Sequence, residues 1–280
     1  MNVNNELLKR PVTVSLTSGK GGVGKTSLTV NLAVALSRSG KRVLIVDGDL
    51  GLANVDVLLR IHVERSLRDV IENGDDPLDT IVSVGPNLSV LPASSGVPEM
   101  LNLGQREQSL LEGLLRKISS HYDFVLVDTA AGIGQSVLWL NHFADHPIVV
   151  VTPDPTSMTD AYALIKVMAR EHERNSFHVV VNALSSPKEG EEVFTTLKGV
   201  AEKFLQVKLL HLGSVPLDSE VAKAVRRQIP FLKTSPDSRA ARAILELSAS
   251  IEKLSPGSHR GAAQPAPALQ PKPLAVSERD

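Results

Sequence analysis

Val12-Thr-Val-Ser-Leu-Thr17 runs across Ser18 directly into Gly19-Lys-Gly-Gly-Val-Gly-Lys-Thr26, and a helical pattern follows. The first six residues read as a strand, and the next eight satisfy G-x-x-x-x-G-K-[ST] in the strand–loop–helix setting that a phosphate-binding P-loop requires. Gly19, Gly21, Gly22 and Gly24 let the backbone wrap a phosphate chain. The N–H groups from Gly19 through Val23 to Ser27 converge as an anion nest at a helix N-terminus. Lys25 supplies positive charge to the β- and γ-phosphates, and the Thr26 hydroxyl is placed to ligate Mg²⁺. Lys20, just after the first glycine, is superfluous for holding one nucleotide. A lysine there can reach across an interface to a phosphate of a partner subunit, as an arginine finger does in trans. On its own it reads as a solvated loop side chain.

Outward from this stretch, short apolar runs alternate with amphipathic segments. Val43–Val46, Leu88–Leu91, Phe124–Val127, Ile148–Val151, His178–Val181 and Leu209–Val215 read as further strands, several of them apolar at every position, as in parallel strands covered on both faces. In Gln105–Ser120, Leu110, Leu111, Leu114, Leu115 and Ile118 share one helical face. Thr156–Arg174 and Glu191–Leu205 behave alike. Such βα alternation predicts an α/β fold: a single P-loop NTPase domain with a doubly wound, mostly parallel sheet and helices on both faces. The domain is expected over residues 12–254, after a polar segment (1–11) and before a Pro/Ala-rich tail (255–280) with nothing to bury.

Two strand ends add carboxylates. Asp47-Gly-Asp49 closes the second strand, and Asp128 precedes Thr-Ala-Ala-Gly132-Ile-Gly134. Aspartates at the carboxyl ends of buried strands beside a P-loop stand where Mg²⁺ and its waters need acidic groups. The loop after Asp128 can move and offer a backbone N–H to a γ-phosphate, with Gly132 the candidate. Each aspartate alone is equally a turn residue or a helix cap.

The 280 residues carry a net charge of −1, so nothing general points to nucleic acid. No cysteine is present, which excludes disulfides, thiolate zinc and iron–sulfur clusters. No apolar run reaches the roughly 20 residues that cross a bilayer, and a soluble cytoplasmic protein is expected. Eight scattered histidines show no metal-ligand spacing.

Together SGKGGVGKT, DGDLGLANVDVLL, DTAAGIG and TPDPTSMTDAYALIK resemble the MinD/ParA class of deviant Walker ATPases, and within it the FlhG/FleN group of MinD-like regulators of flagellar number. The resemblance spans about Val12 to Leu254. It implies slow ATP hydrolysis with Mg²⁺ and an ATP-dependent homodimer in which Lys20 acts across the interface. Lys25 and Thr26 hold phosphates and metal, Asp49 orients the attacking water, and Asp47 and Asp128 act mainly through the metal and its waters. Asn182 matches the asparagine that reads the adenine edge; a strand-terminal turn residue is its other reading. Pro216-Leu217-Asp218 matches the loop covering the base. Asp160 matches a position near the partner face, or is a helix N-terminal carboxylate. Members of the group act through the GTPase FlhF or restrain a flagellar transcription activator.

The sequence departs from the group at both ends. Met1–Pro11 lacks the DQAxxLR-like segment that stimulates FlhF, and the tail lacks an amphipathic membrane helix. Ala240–Leu254 reads as the closing helix of the core rather than an anchor, so membrane recruitment is not assumed. The alternative is a MinD/ParA-type ATPase for division-site placement or for DNA or cargo partition. DNA would have to use Lys223, Arg226 and Arg227, three basic residues that read first as a solvated face.

Overall fold

The computed structural model describes residues 10–49, 54–66, 69–70, 76–93 and 104–257. The elements run β1 (Val12–Ser18), α1 (Lys25–Arg38), β2 (Val43–Gly48), α2 (Val55–Leu59), β3 (Val82–Gly85), β4 (Leu88–Leu91) and α3 (Gln105–Ser119). They continue through β5 (Phe124–Ala131), α4 (Gln135–Phe143), β6 (His146–Val151), α5 (Pro155–Glu171), β7 (Ser176–Leu184) and α6 (Pro187–Leu205). The last are β8 (Lys208–Pro216), α7 (Ser219–Arg227), α8 (Phe231–Thr234) and α9 (Arg239–Ile251). All seven expected strands form. With β3 they build one eight-stranded sheet in the order β3-β4-β2-β5-β1-β6-β7-β8, parallel throughout except for β3 against β4.

The apolar runs work as their periodicity demands. Val43 and Ile45 of β2 face one core with Val14, Leu16, Ile148, Val150 and residues of α1 and α9. Leu44 and Val46 face the opposite side, among Leu111, Leu115 and Ile118 of α3 and Leu140 of α4. Val149 and Val151 join Leu164, Ile165 and Leu197 of α5 and α6 on that second side. The sheet is therefore covered on both faces, and α9 is a packed core helix with Ile244, Leu247 and Ile251 buried.

β1, the strand under the phosphate loop, departs from the all-apolar pattern. Its second face carries Thr13, Ser15 and Thr17, all buried. A buried amide on α4 matches them: Ser15 Oγ donates to Asn141 Oδ1 (2.7 Å), and Asn141 Nδ2 donates to Thr17 Oγ1 (3.0 Å) and Val137 O (2.8 Å). These polar groups of β1 are tolerated in the interior because each has a partner, Thr13 finding its own in Asp145.

Three local differences have plain causes. β3 has no apolar signature because its residues are half-buried or exposed at the sheet edge. α5 stops at Glu171, short of Arg174, whose guanidinium instead binds the carbonyls of Asn141 in the last turn of α4 and of Ala144 and Asp145 just beyond it. Packed structure also reaches past the expected 12–254. Arg10 is ion-paired to Asp145 at 2.8 Å and bonds Gly257 O, while His146 Nε2 lies 2.8 Å from Ser255 O. Most of the expected tail, from 258, and the polar segment up to 9 lie outside the described residues.

Candidate phosphate-binding site

The carboxyl ends of β1, β2, β5 and β7 meet beneath the N-terminus of α1, where an open parallel sheet places its ligand crevice. Gly19 to Gly24 form the loop between β1 and α1, and Lys25 and Thr26 open the helix. Gly19 is required by packing, since a Cβ there would lie 2.1 Å from the backbone oxygen of Asp160 on α5. Gly24 caps α1 with φ +95°, a conformation that other residues rarely adopt. Gly21 and Gly22 are exposed, whereas Lys25 is buried at the start of the helix.

The two lysines of the loop are held differently. Lys25 Nζ donates to Ser18 Oγ (2.9 Å), and Ser18 Oγ donates to the carbonyl of Lys20 (2.6 Å). Burial lowers the Lys25 pKa, and the Asp128 and Asp49 carboxylates oppose that shift. Lys20 Nζ points away from its own loop and binds Asp154 Oδ1 (2.9 Å) and Thr156 Oγ1 (2.6 Å) at the start of α5. Asp154 also accepts from Thr152 Oγ1, Thr156 Oγ1 and the N–H of Ser157, and these bonds hold it well below the usual carboxylate range. This ion pair is open to solvent, so it is weak and readily exchanged.

Asp47 and Asp128 are directly opposite each other in the β2–β5 register, and both are buried. Burial is the main force pushing each carboxylate up; for Asp47 the neighbouring Asp128 charge adds to it, and for Asp128 two hydroxyls and Lys25 oppose it. Asp47 accepts N–H bonds from Asp49 (3.1 Å), Asn54 (3.2 Å) and Val55 (3.2 Å), and so ties the end of β2 to the start of α2. Asp128 meets the Thr26 hydroxyl and lies 3.1 Å from Thr29 Oγ1. Asp49 is half-buried at the mouth of this group, while residues 50–53 lie outside the described residues.

A hard divalent cation suits these donors: oxygen ligands, two burial-disfavoured anions and a hydroxyl at one point. Among the described residues no three His, Cys, Asp or Glu side chains cluster to hold a metal by themselves, so hydroxyls, waters or phosphate oxygens would complete a cation site here.

The remaining expected residues are near but engaged. Gly132, φ +96°, donates its N–H to Ser18 O (2.9 Å), and a phosphate would have to take that bond over. Asn182 Nδ2 donates to Val23 O in the loop (2.7 Å). Leu217 is exposed, and its N–H donates to Leu184 O. Asp218 caps two helices at once, accepting from Glu220 N (3.0 Å) and Ala240 N (3.2 Å). Lys223 is paired with Glu220 at 2.7 Å, which weakens the three-residue basic patch. Ser18, Thr29, Asp154 and Thr156 were not anticipated. Thr29 had a faint signal, one turn beyond Lys25 on the same face of α1; Ser18 acts through the folding of the loop itself, and Asp154 and Thr156 become visible only when α5 meets the loop.

A loop of this sequence between a central parallel strand and its helix, with acidic strand ends beside it, defines a P-loop NTPase. The chain belongs to the ParA family, described as NUBPL iron-transfer P-loop NTPase, which matches residues 10–252. The antiactivator FleN of Pseudomonas aeruginosa is 42% identical over 240 residues, 85% of each chain. The flagellum site-determining protein YlxH of Helicobacter pylori is 32% identical, covering 80% of this chain and 76% of its own. The septum site-determining protein MinD of Pyrococcus horikoshii, complexed with Mg-ADP, superposes with a TM-score of 0.72 at 25% identity, over 87% of this chain and 96% of that one. The iron transfer in the family's description has no cysteine ligands to use here.

Proposed function

We propose that this chain is a slow Mg²⁺-dependent ATPase that dimerises around ATP and serves as a switch in setting flagellar number, flagellar placement or flagellar gene expression. The observation that carries the reading is the placement of Lys20. It sits on the phosphate loop, yet its ammonium is turned outward into an exposed, exchangeable pair with Asp154, while Lys25 alone is buried in the site. A cation so placed is available to the phosphates of a second subunit. The flagellar roles named for FleN and YlxH, at 42% and 32% identity, support the biological half of the proposal.

In this reading the N–H groups of Gly19 to Ser27 and the Lys25 ammonium bind the phosphates, Lys25 leaving Ser18 to do so. Thr26, Asp128 and Asp47 are the residues that would hold Mg²⁺, directly or through its waters; bound there, the ion would neutralise phosphate charge. Asp49 orients the attacking water. Gly132 exchanges Ser18 O for the γ-phosphate and so reports its presence. Asn182 and the Pro216-Leu217-Asp218 turn lie where the base is read. Lys20 exchanges Asp154 for a phosphate of the partner, which makes the closed dimer conditional on ATP, and a partner that binds only this form follows the nucleotide state. That partner is an FlhF-like GTPase or a flagellar transcription activator.

The test is light scattering on the eluted Asp49→Ala protein, first with ADP and then with ATP and Mg²⁺. A dimer formed only with ATP, and abolished by a further Lys20→Ala change, is the expected result. A monomer under both conditions would leave a nucleotide site but end the switch reading. The second reading, division-site placement, is favoured only by the likeness to MinD; a deletion strain with misplaced septa and normal flagella would select it.

A further inference from the structure

Asn182 does something the base-reading role does not explain. It lies where β7 breaks from its register with β8, and the next residue, Ala183, takes φ +61°. A non-glycine residue at positive φ is uncommon and calls for a local reason. Here the irregularity accompanies an amide that leaves the sheet, crosses to the phosphate loop and donates from Nδ2 to Val23 O at 2.7 Å. The amide also fills the space that a side chain at Gly24 would need: a Cβ there would stand 2.5 Å from Nδ2. Gly24 in turn caps α1 at φ +95°.

The consequence follows from the peptide group itself. A trans peptide is planar, with its C=O and N–H antiparallel. Fixing the Val23 carbonyl towards Asn182 therefore fixes the Gly24 N–H in the opposite direction. That N–H belongs to the loop that must present its donors together, and to the first turn of the helix carrying Lys25 and Thr26. A glycine with no Cβ has wide freedom at this point, so its peptide needs an external hold.

We infer that Asn182 is a positioning residue for phosphate binding, holding the Val23–Gly24 peptide so that the loop is preformed before any nucleotide arrives. This rests on the nucleotide-switch reading and deepens it. The bond to Val23 uses one of the two Nδ2 hydrogens; an Asn side chain has a second hydrogen and a carbonyl oxygen with which to meet a purine edge. One side chain thus joins the base side of the crevice to the phosphate side, and a base bound to Asn182 stiffens the same loop that receives its phosphates.

The experiment compares two probes, MgATP and inorganic tripolyphosphate with Mg²⁺, by titration calorimetry on the full chain. The proteins are the wild type, Asn182→Ala and Asn182→Leu. Asn182→Ala weakens tripolyphosphate by a factor of about 5–10, the size of one hydrogen bond, and MgATP by at least as much because the base contact goes with it. Asn182→Leu, close in shape and uncharged but unable to donate, weakens tripolyphosphate by a similar factor. The thermal midpoint of each variant is recorded, and the Leu variant carries the comparison should the alanine protein not fold. A variant that loses ATP affinity yet binds tripolyphosphate as the wild type does would overturn the inference, leaving Asn182 a base reader only. Failure of the underlying function looks different: a wild-type protein that binds neither probe.

Discussion

The two ends of the sheet bury aspartates in opposite circumstances. At the amino end, Asp145 accepts from the hydroxyl and N–H of Thr13 and is ion-paired to Arg10, while Arg174 ties down the carbonyls around it. At the carboxyl end, Asp47 and Asp128 share one site with burial working against both charges, and their partners are backbone N–H groups and hydroxyls. A buried charge matched by a cation of the same chain belongs to the architecture. Buried charges left with neutral partners store a demand that a ligand can answer.

The largest effect should come from the cation that faces the acidic end. Lys25→Ala should weaken ATP by about 100-fold or more, close to 3 kcal/mol, because a charge-assisted contact and a buried positive charge go together. Calorimetric titration measures it, and affinity within threefold of wild type would remove Lys25 from the site.

The comparison is sharpened by making the same change at both ends. Asp145→Asn strips the amino-end pair and should destabilise the nucleotide-free protein by about 3 kcal/mol, as breaking a buried pair does. Asp128→Asn should do the reverse, raising the melting temperature of the nucleotide-free protein by about 2–4 °C, roughly 1 kcal/mol in a chain of this size. It should also remove the benefit of Mg²⁺ to ATP binding. Thermal melts with and without MgATP read both effects. If the two substitutions shift stability in the same direction, the contrast drawn here is wrong.

The smallest effect concerns pH. His178 on β7 is pushed down to about 4, first by burial and then by the nearby His146. Its unfolded counterpart takes a proton near pH 6.5, so the folded state, which resists that proton, loses stability as pH falls from 6.5 towards 4. His178→Leu should flatten that part of a stability–pH curve measured with urea, leaving values above pH 7 little changed. An unaltered slope would mean that His178 titrates freely in the fold.

Legibility from sequence follows the same division. Strands β1, β2 and β4 to β8, the covering helices and the phosphate loop announce themselves because long apolar runs and a glycine-rich motif are local facts. β3 is silent, being short and half-exposed at an edge. The site is legible as far as its parts are contiguous. Gly19 to Thr26, Asp47, Asp49 and Asp128 can be picked from strand ends, and Asn182 from a resemblance. Ser18, between the two lysines, is set by the folding of the loop itself, whereas Asp154 beneath Lys20 and the bond from Asn182 to Val23 join residues up to 159 apart in sequence, and only the packing of α5 and β7 against the loop creates them. Asp218 teaches the complementary lesson: a residue chosen for its place by the base turns out to hold two helix starts together.

The clasp of Arg10 on Asp145 and Gly257 has a practical corollary. Residues 10 and 257 are neighbours at the amino end of the sheet, opposite the phosphate loop. A fluorescent reporter joined at either side would stand clear of that loop. A short glycine–serine bridge between the same two points, with new ends opened in an exposed connection elsewhere, gives a circular permutant that keeps every strand neighbour it has now.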